Sequence, residues 1–220
     1  MGFIEKITTP GEHPLLLQGL AGQLEAVLTV PEQIKDKFVA FIGHPHSLQG
    51  GTMNNKVVTT LVRVFKELGI PSLRFNFRGV GQSEGIYNGG IGESEDMIAL
   101  ATSWQKEQPD SKLLFAGFSF GSYVAYRAAA QLDSILLITI APPVHHYDYT
   151  EYNPQPTPWL IIQGDADEVV PYSLVMNYAQ QASPEIPVIE FADTGHFFHG
   201  KLIELKTKLI EYIQSQVFSL

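Results

Sequence analysis

Gly117-Phe118-Ser119-Phe120-Gly121 stands between a near-continuous apolar run at 112–118 and an Ala-rich stretch at 123–131. The first has the length and composition of a buried strand, and the second has the residues and spacing of a helix. A serine with glycine two places before and two places after it, at a strand-to-helix turn, is the G-x-S-x-G nucleophile elbow. The turn is so tight that the glycine positions tolerate almost no side chain, and the serine sits at strained dihedrals. Its hydroxyl then stands clear of the sheet above a helix N-terminus, where developing negative charge is favoured. Without the strand and helix around it, the pentapeptide would read as no more than a Gly-rich turn.

Outward from this stretch, short apolar runs alternate with segments of helical period. Strands are expected at 38–42, 71–77, 134–140, 159–163 and 188–191, besides 112–118. Val57, Val58, Leu61, Val62, Phe65 and Leu68 mark one face of a helix that Gly69 stops. Met97, Leu100, Ala101 and Trp104 mark another, a third is expected at 172–182, and Leu202, Leu205, Leu209 and Ile213 stripe the last. Repeated strand–helix alternation implies crossovers between parallel strands, and continuous apolar strands imply a sheet covered on both faces. Before this pattern, 3–8, 15–20 and 24–30 read as strands joined by turns at Pro10-Gly11 and Ala21-Gly22. Connections that short cannot be crossovers, so the start of the sheet is expected to be antiparallel. The predicted fold is α/β: a mostly parallel central sheet, helices on both faces, an antiparallel N-terminal edge, and a single domain over 1–220. No insertion is long enough for a large cap domain. The segment 141–158, with five prolines and many aromatics, has the length of a short cap or pocket wall at most.

Composition narrows the function classes. Among 220 residues, 14 are basic and 23 acidic, for a formal charge of −9. Phosphate-backbone binding needs clustered Lys and Arg, so no nucleic acid partner is expected. With no cysteine, disulfides, thiolate metal sites and cysteine nucleophiles are excluded. No run approaches a membrane span and no secretory signal is visible, so no membrane partner is expected and the expected compartment is the cytoplasm. Nothing in the composition indicates an oligomeric state.

In open α/β sheets, catalytic groups gather beyond the carboxyl ends of the strands. A serine hydroxyl needs a base, and the base an orienting acid; in this architecture the chain order is Ser, then Asp or Glu, then His. Gln163-Gly164-Asp165-Ala166-Asp167-Glu168-Val169-Val170 leaves one strand, and Thr194-Gly195-His196 leaves the next. His196 is the candidate base. Asp165 and Asp167 both qualify as the acid.

With the elbow and this order in hand, the chain resembles the α/β-hydrolases over nearly its whole length. That family's Gly-x-x-Asp-x-Val-Val motif maps onto Gly164, Asp167, Val169 and Val170, so the resemblance selects Asp167, with Asp165 as the fallback. Phe77-Arg78-Gly79-Val80-Gly81-Gln82-Ser83 is similar to an Arg-Gly-x-Gly-x-Ser turn of the family, and Arg78 is expected to anchor it. As a nucleotide loop the segment fails, because Glu84 stands where Gly-x-Gly-x-x-Gly needs glycine and its charge repels pyrophosphate. His44-Pro45-His46-Ser47-Leu48-Gln49-Gly50-Gly51-Thr52-Met53 resembles the His-Pro-His-Pro-x-x-Gly-Gly-Thr-Met stretch of a compact bacterial branch, with Ser47 in place of the second proline.

The resemblance implies an ester hydrolase that acts through an acyl-enzyme on Ser119, with His196 as base and Asp167 as its orienting acid. The backbone N–H groups of Phe120 and His46 form the expected oxyanion hole, since Pro45 has no N–H to give. Ser47, His145, His146 and Tyr147 are candidate pocket residues, with Tyr149, Tyr152 and Trp159 nearby in sequence; a solvated aromatic loop is the alternative reading of 141–158. The expected substrate is a small ester, with no cofactor and no metal. A metal reading of His44, His46, His145 and His146 fails because the Asp-His that follows His-x-His in metal-dependent hydrolases is missing. Cleavage of other acyl bonds (thioester, amide, carbon–carbon) and a non-catalytic binding role on the same scaffold are the alternatives.

Overall fold

The computed structural model describes residues 3–35 and 37–217. Eight strands form one sheet: β1 (Gly11–Gln18), β2 (Gln23–Val30), β3 (Phe38–Gly43), β4 (Ser72–Phe75), β5 (Lys112–Phe118), β6 (Ser134–Ile140), β7 (Trp159–Gly164) and β8 (Val188–Phe191). Six helices accompany them: α1 (Ile4–Ile7), α2 (Lys56–Glu67), α3 (Ile91–Glu107), α4 (Phe120–Gln131), α5 (Tyr172–Gln181) and α6 (Leu202–Val217). The strand order is β1-β2-β4-β3-β5-β6-β7-β8. The pairs β1–β2 and β2–β4 are antiparallel and every later pair is parallel, as in the register Gly43↔Gly117 between β3 and β5. The expected antiparallel edge and parallel body are both present, and no cap domain stands on the sheet among the described residues.

Continuous apolar strands are explained by the two layers they serve. Along β5, Leu113 and Phe115 join the core under α3, α4 and α5, while Leu114, Ala116 and Phe118 join the core under α2 and α6. Alternate side chains point to opposite faces, so a strand covered on both sides must be apolar at every position. All of these residues are fully buried. Burying a side chain of this size stabilises the fold by about 1.5–3 kcal/mol.

The N-terminal expectation fails at residues 3–8 and is displaced at β1, expected at 15–20 after a turn at Pro10-Gly11 and observed at Gly11–Gln18. Residues 3–8 do not form a strand; Ile4–Ile7 is a single helical turn. A six-residue apolar-rich run does not distinguish the two states by pattern. Packing decides it: Phe3 is buried with its ring 5.0 Å from that of Trp104 in α3, a contact that draws the segment over the helix layer instead of along β1.

The turn after β4 is tied down as Arg78 was expected to tie it. Arg78 Nε donates to Asp96 Oδ2 at 2.8 Å, and Asp96 Oδ1 accepts from the Leu20 N–H. Ser83 closes the other side, donating to the Asn76 carbonyl at 2.6 Å and accepting from the Glu25 N–H. β1, β2 and α3 are thereby fastened around the loop.

Candidate active site

Ser119 lies between β5 and α4 with φ 54° and ψ −123°, a left-handed conformation for a residue with a side chain. Two glycines make room for this turn. A Cβ on Gly117 would stand 2.0 Å from the Gly121 carbonyl oxygen, and one on Gly121 would stand 2.4 Å from the Gly43 backbone. The Ser119 N–H donates to the Ile140 carbonyl at 2.8 Å, and Ser122 Oγ donates to Gly117 and Ile140. The strained serine is thus held from the backbone, leaving its hydroxyl uncommitted to the fold.

Asp167 leaves β7 and His196 leaves β8, and the adjacent pairing of these strands brings the two loops together. Asp167 Oδ2 accepts from His196 Nδ1 at 2.9 Å, and His196 Nε2 meets Ser119 Oγ at 3.1 Å. Both the acid and the imidazole are buried. Asp167 Oδ1 accepts the N–H groups of Val169 at 2.9 Å and Val170 at 2.7 Å. Burial would raise the Asp167 pKa, but the bonds from His196 and these amides outweigh it and hold the carboxyl below its usual range. Asp165 is outside this line: it is exposed, and its Oδ1 accepts the Thr194 N–H at 3.4 Å, linking the two loops.

Around Ser119 is a cavity of about 400 Å³ whose lining includes His46, Phe120, His145, His146 and Tyr147. Ser47 is not part of that lining; it opens the one-turn 3-10 helix Ser47–Gln49 with its hydroxyl buried and unpartnered. The segment 141–158 is fastened to α4 by aromatic packing. Tyr147 stacks on Tyr123 at 4.6 Å, Tyr149 packs against both Tyr126 and Trp159, and Glu151 pairs with Arg127. Tyr178 of α5 donates to the Tyr149 carbonyl at 2.8 Å. A larger groove of about 790 Å³, lined by residues such as Arg63, Lys66 and Lys206, presents no serine or histidine. Among the described residues no three His, Asp or Glu gather as a metal site, and no helix is long and apolar enough to cross a membrane.

Three contributors escaped the sequence reading, and a fourth, His44, was weighed there only as a metal ligand. Gln163 Nε2 donates to Asp167 Oδ2 at 3.2 Å; a lone amide at the end of the apolar strand β7 was its signal. Glu168 Oε2 accepts the His196 N–H at 3.3 Å, holding the backbone of the histidine. Tyr87 meets His46 Nε2 through its hydroxyl at 3.2 Å. The fourth is His44, fully buried at the end of β3. Its Nε2 takes the Phe77 N–H at 2.9 Å, so this nitrogen carries the lone pair and Nδ1 carries the proton. Nδ1 then donates to the Pro45 carbonyl at 2.6 Å. That carbonyl shares its peptide plane with the His46 N–H, so the ring of His44 sets the direction of the His46 amide.

Burial lowers the His44 pKa to about 4, against the raising effect of its bond to Pro45. The unfolded chain binds a proton here from about pH 6.5 downward and the folded chain does not until about pH 4, so stability is complete above pH 6.5 and lost as pH falls through that window. The loss is about 3 kcal/mol at full extent. Thermal melts between pH 7 and 4 are expected to show a decline that His44→Gln makes shallower; an unchanged slope in the variant would assign the decline to other groups.

No family model matches the chain. Over 94% of its length it superposes, with TM-score 0.89 and 40% identity, on 95% of an α/β serine hydrolase without lid from Xanthomonas campestris. An α/β serine hydrolase homologue from Coxiella burnetii is 42% identical, with TM-score 0.89 over 93% of this chain and 99% of the other. An uncharacterized protein of Rickettsia prowazekii is 35% identical over 187 residues, 80% of this chain and 78% of that one. With the nucleophile elbow at the centre of a doubly covered sheet, these likenesses define the class of protein. The chain belongs to the α/β serine hydrolases.

Proposed function

We propose that the protein hydrolyses carboxylic esters of small soluble substrates through Ser119, His196 and Asp167. The observation that carries this reading is the unbroken line from Asp167 Oδ2 to His196 Nδ1 at 2.9 Å and from His196 Nε2 to Ser119 Oγ at 3.1 Å. Asp167 accepts a hydrogen bond from Nδ1–H, so the neutral imidazole keeps its proton there and presents its lone pair at Nε2 to the serine hydroxyl. His196 takes that proton as Oγ attacks the ester carbonyl, then returns it to the leaving alcohol. Water repeats the sequence on the acyl-enzyme and releases the acid.

Charge on the tetrahedral oxygen is met by the N–H groups of Phe120 and His46. Phe120 is the first residue of α4, where an N–H has no partner within the helix. The His46 N–H belongs to the peptide that His44 orients. The whole chain acts as one hydrolase unit, with 141–158 as a fastened wall of the pocket. A fluorophosphonate probe tests the reading: the folded protein is expected to form one covalent adduct on Ser119, located by peptide mass mapping. Absence of any adduct would favour a binding protein on this scaffold.

A further inference from the structure

The hydroxyl of Tyr87 lies 3.2 Å from His46 Nε2 and 3.5 Å from the hydroxyl of Tyr147. Proton positions in this chain follow from its first member. His46 Nδ1 accepts the Leu48 N–H at 3.2 Å, so the neutral ring carries its proton on Nε2 and donates to Tyr87. Burial lowers the His46 pKa, against the raising effect of Glu93, which favours that neutral ring. The three groups then hold three hydrogens, one on Nε2 and one on each phenol, and the two links between them use two. With Tyr87 donating in the second link, the O–H left over is that of Tyr147, and of the two phenols only Tyr147 lines the cavity around Ser119. Burial, and after it the bond with Tyr87, raise the Tyr147 pKa, so this group stays a neutral donor. No Lys, Arg, Asp or Glu is part of the cavity lining, which suits a neutral oxygen better than a carboxylate.

The side of the cavity decides which part of a substrate meets this donor. His196 must reach the leaving alcohol, and its ring packs against Phe118 and Phe197. Tyr147 packs against Phe120 and Tyr123, on the wall that Tyr87 and His46 complete. This wall carries Phe120 and His46, whose N–H groups are assigned to the carbonyl oxygen, and the acyl part is placed against it.

We infer that the Tyr147 hydroxyl donates a hydrogen bond to an oxygen in the acyl group, making the enzyme selective for short esters whose acid carries an ether, hydroxyl or carbonyl oxygen over plain alkyl esters. The inference rests on the ester-hydrolase reading and adds the substrate class. The test pairs p-nitrophenyl methoxyacetate with p-nitrophenyl butyrate, which differ by one oxygen in place of one methylene. Each kcat/KM is normalised to the ester's hydroxide-catalysed rate, which removes their difference in intrinsic reactivity. The wild-type protein is expected to favour the methoxyacetate, and Tyr147→Phe to lower that preference by about fivefold to tenfold, the effect of one hydrogen bond. The phenylalanine keeps the stacking ring, so a structural loss would move both esters together and leave the ratio unchanged; an unchanged ratio overturns the inference. Should the variant not fold, the wild-type ratio still decides, because a normalised preference of one or below overturns it. Turnover of neither ester by the wild-type protein would sink the ester-hydrolase reading itself, an outcome distinct from turnover without preference.

Discussion

Ser119→Ala is expected to lower kcat/KM for p-nitrophenyl acetate by about 10⁴-fold or more, to a residue of activity set by binding and the oxyanion donors. The size of the effect follows from what the hydroxyl does and does not do. Among the described residues its one hydrogen-bond partner is His196 Nε2, at 3.1 Å, and the elbow is held by backbone bonds from Ser119 N and by Ser122 Oγ. Removing Oγ therefore deletes the proposed nucleophile and leaves the turn intact. Alanine keeps the positive φ and its strain, so the melting temperature is expected to stay within a few degrees of the wild-type value. The variant should also lose the fluorophosphonate adduct. Activity unchanged by the substitution would move the nucleophile to another residue.

Asp167→Asn is expected to cost about 10³–10⁴-fold in kcat with little change in KM. Oδ1 receives two backbone N–H groups, from Val169 and Val170, so the amide oxygen of the asparagine must occupy that position. The amide nitrogen then faces His196 Nδ1, where the carboxylate oxygen had accepted a hydrogen bond. Two donors cannot share that contact, so the imidazole turns its lone pair to Nδ1 and presents a proton at Nε2 to Ser119. In that tautomer it cannot act as base. Gln163 Nε2, which donates to the same carboxylate oxygen, adds a second donor against the new amide. Asp165→Asn is the paired control: an amide oxygen accepts the Thr194 N–H as well as a carboxylate does, and near-full activity is expected. Loss in Asp165→Asn with activity retained in Asp167→Asn would reverse the choice of acid.

Much of the fold is readable in the chain because its signals are local and periodic. The limits expected for β5, β6 and β8 coincide with the observed ones, since near-continuous apolar runs bounded by polar or turn residues have one compact solution. Residues 3–8 lacked such a signal, and a contact with Trp104, about a hundred positions away in the chain, decided their state. The site divides the same way. Ser119, Asp167 and His196 stand out by motif, spacing and strand-exit position. His44, Gln163, Glu168 and Tyr87 do not, because each acts through a partner that only folding brings near.

The amino-acid sequence by itself determined the alternation of strands and helices, the elbow that Gly117 and Gly121 permit, the order Ser–Asp–His, and the exclusion of thiol chemistry. Only the tertiary structure decided that Asp167 and not Asp165 faces His196, that 141–158 is fastened to α4, and that Tyr147 and His46 share a wall of the cavity while Ser47 stands outside its lining. The physical reason is range. Propensity, periodicity and glycine geometry act within a few residues, whereas hydrogen-bond direction and burial depend on groups joined by strand pairing across the sheet.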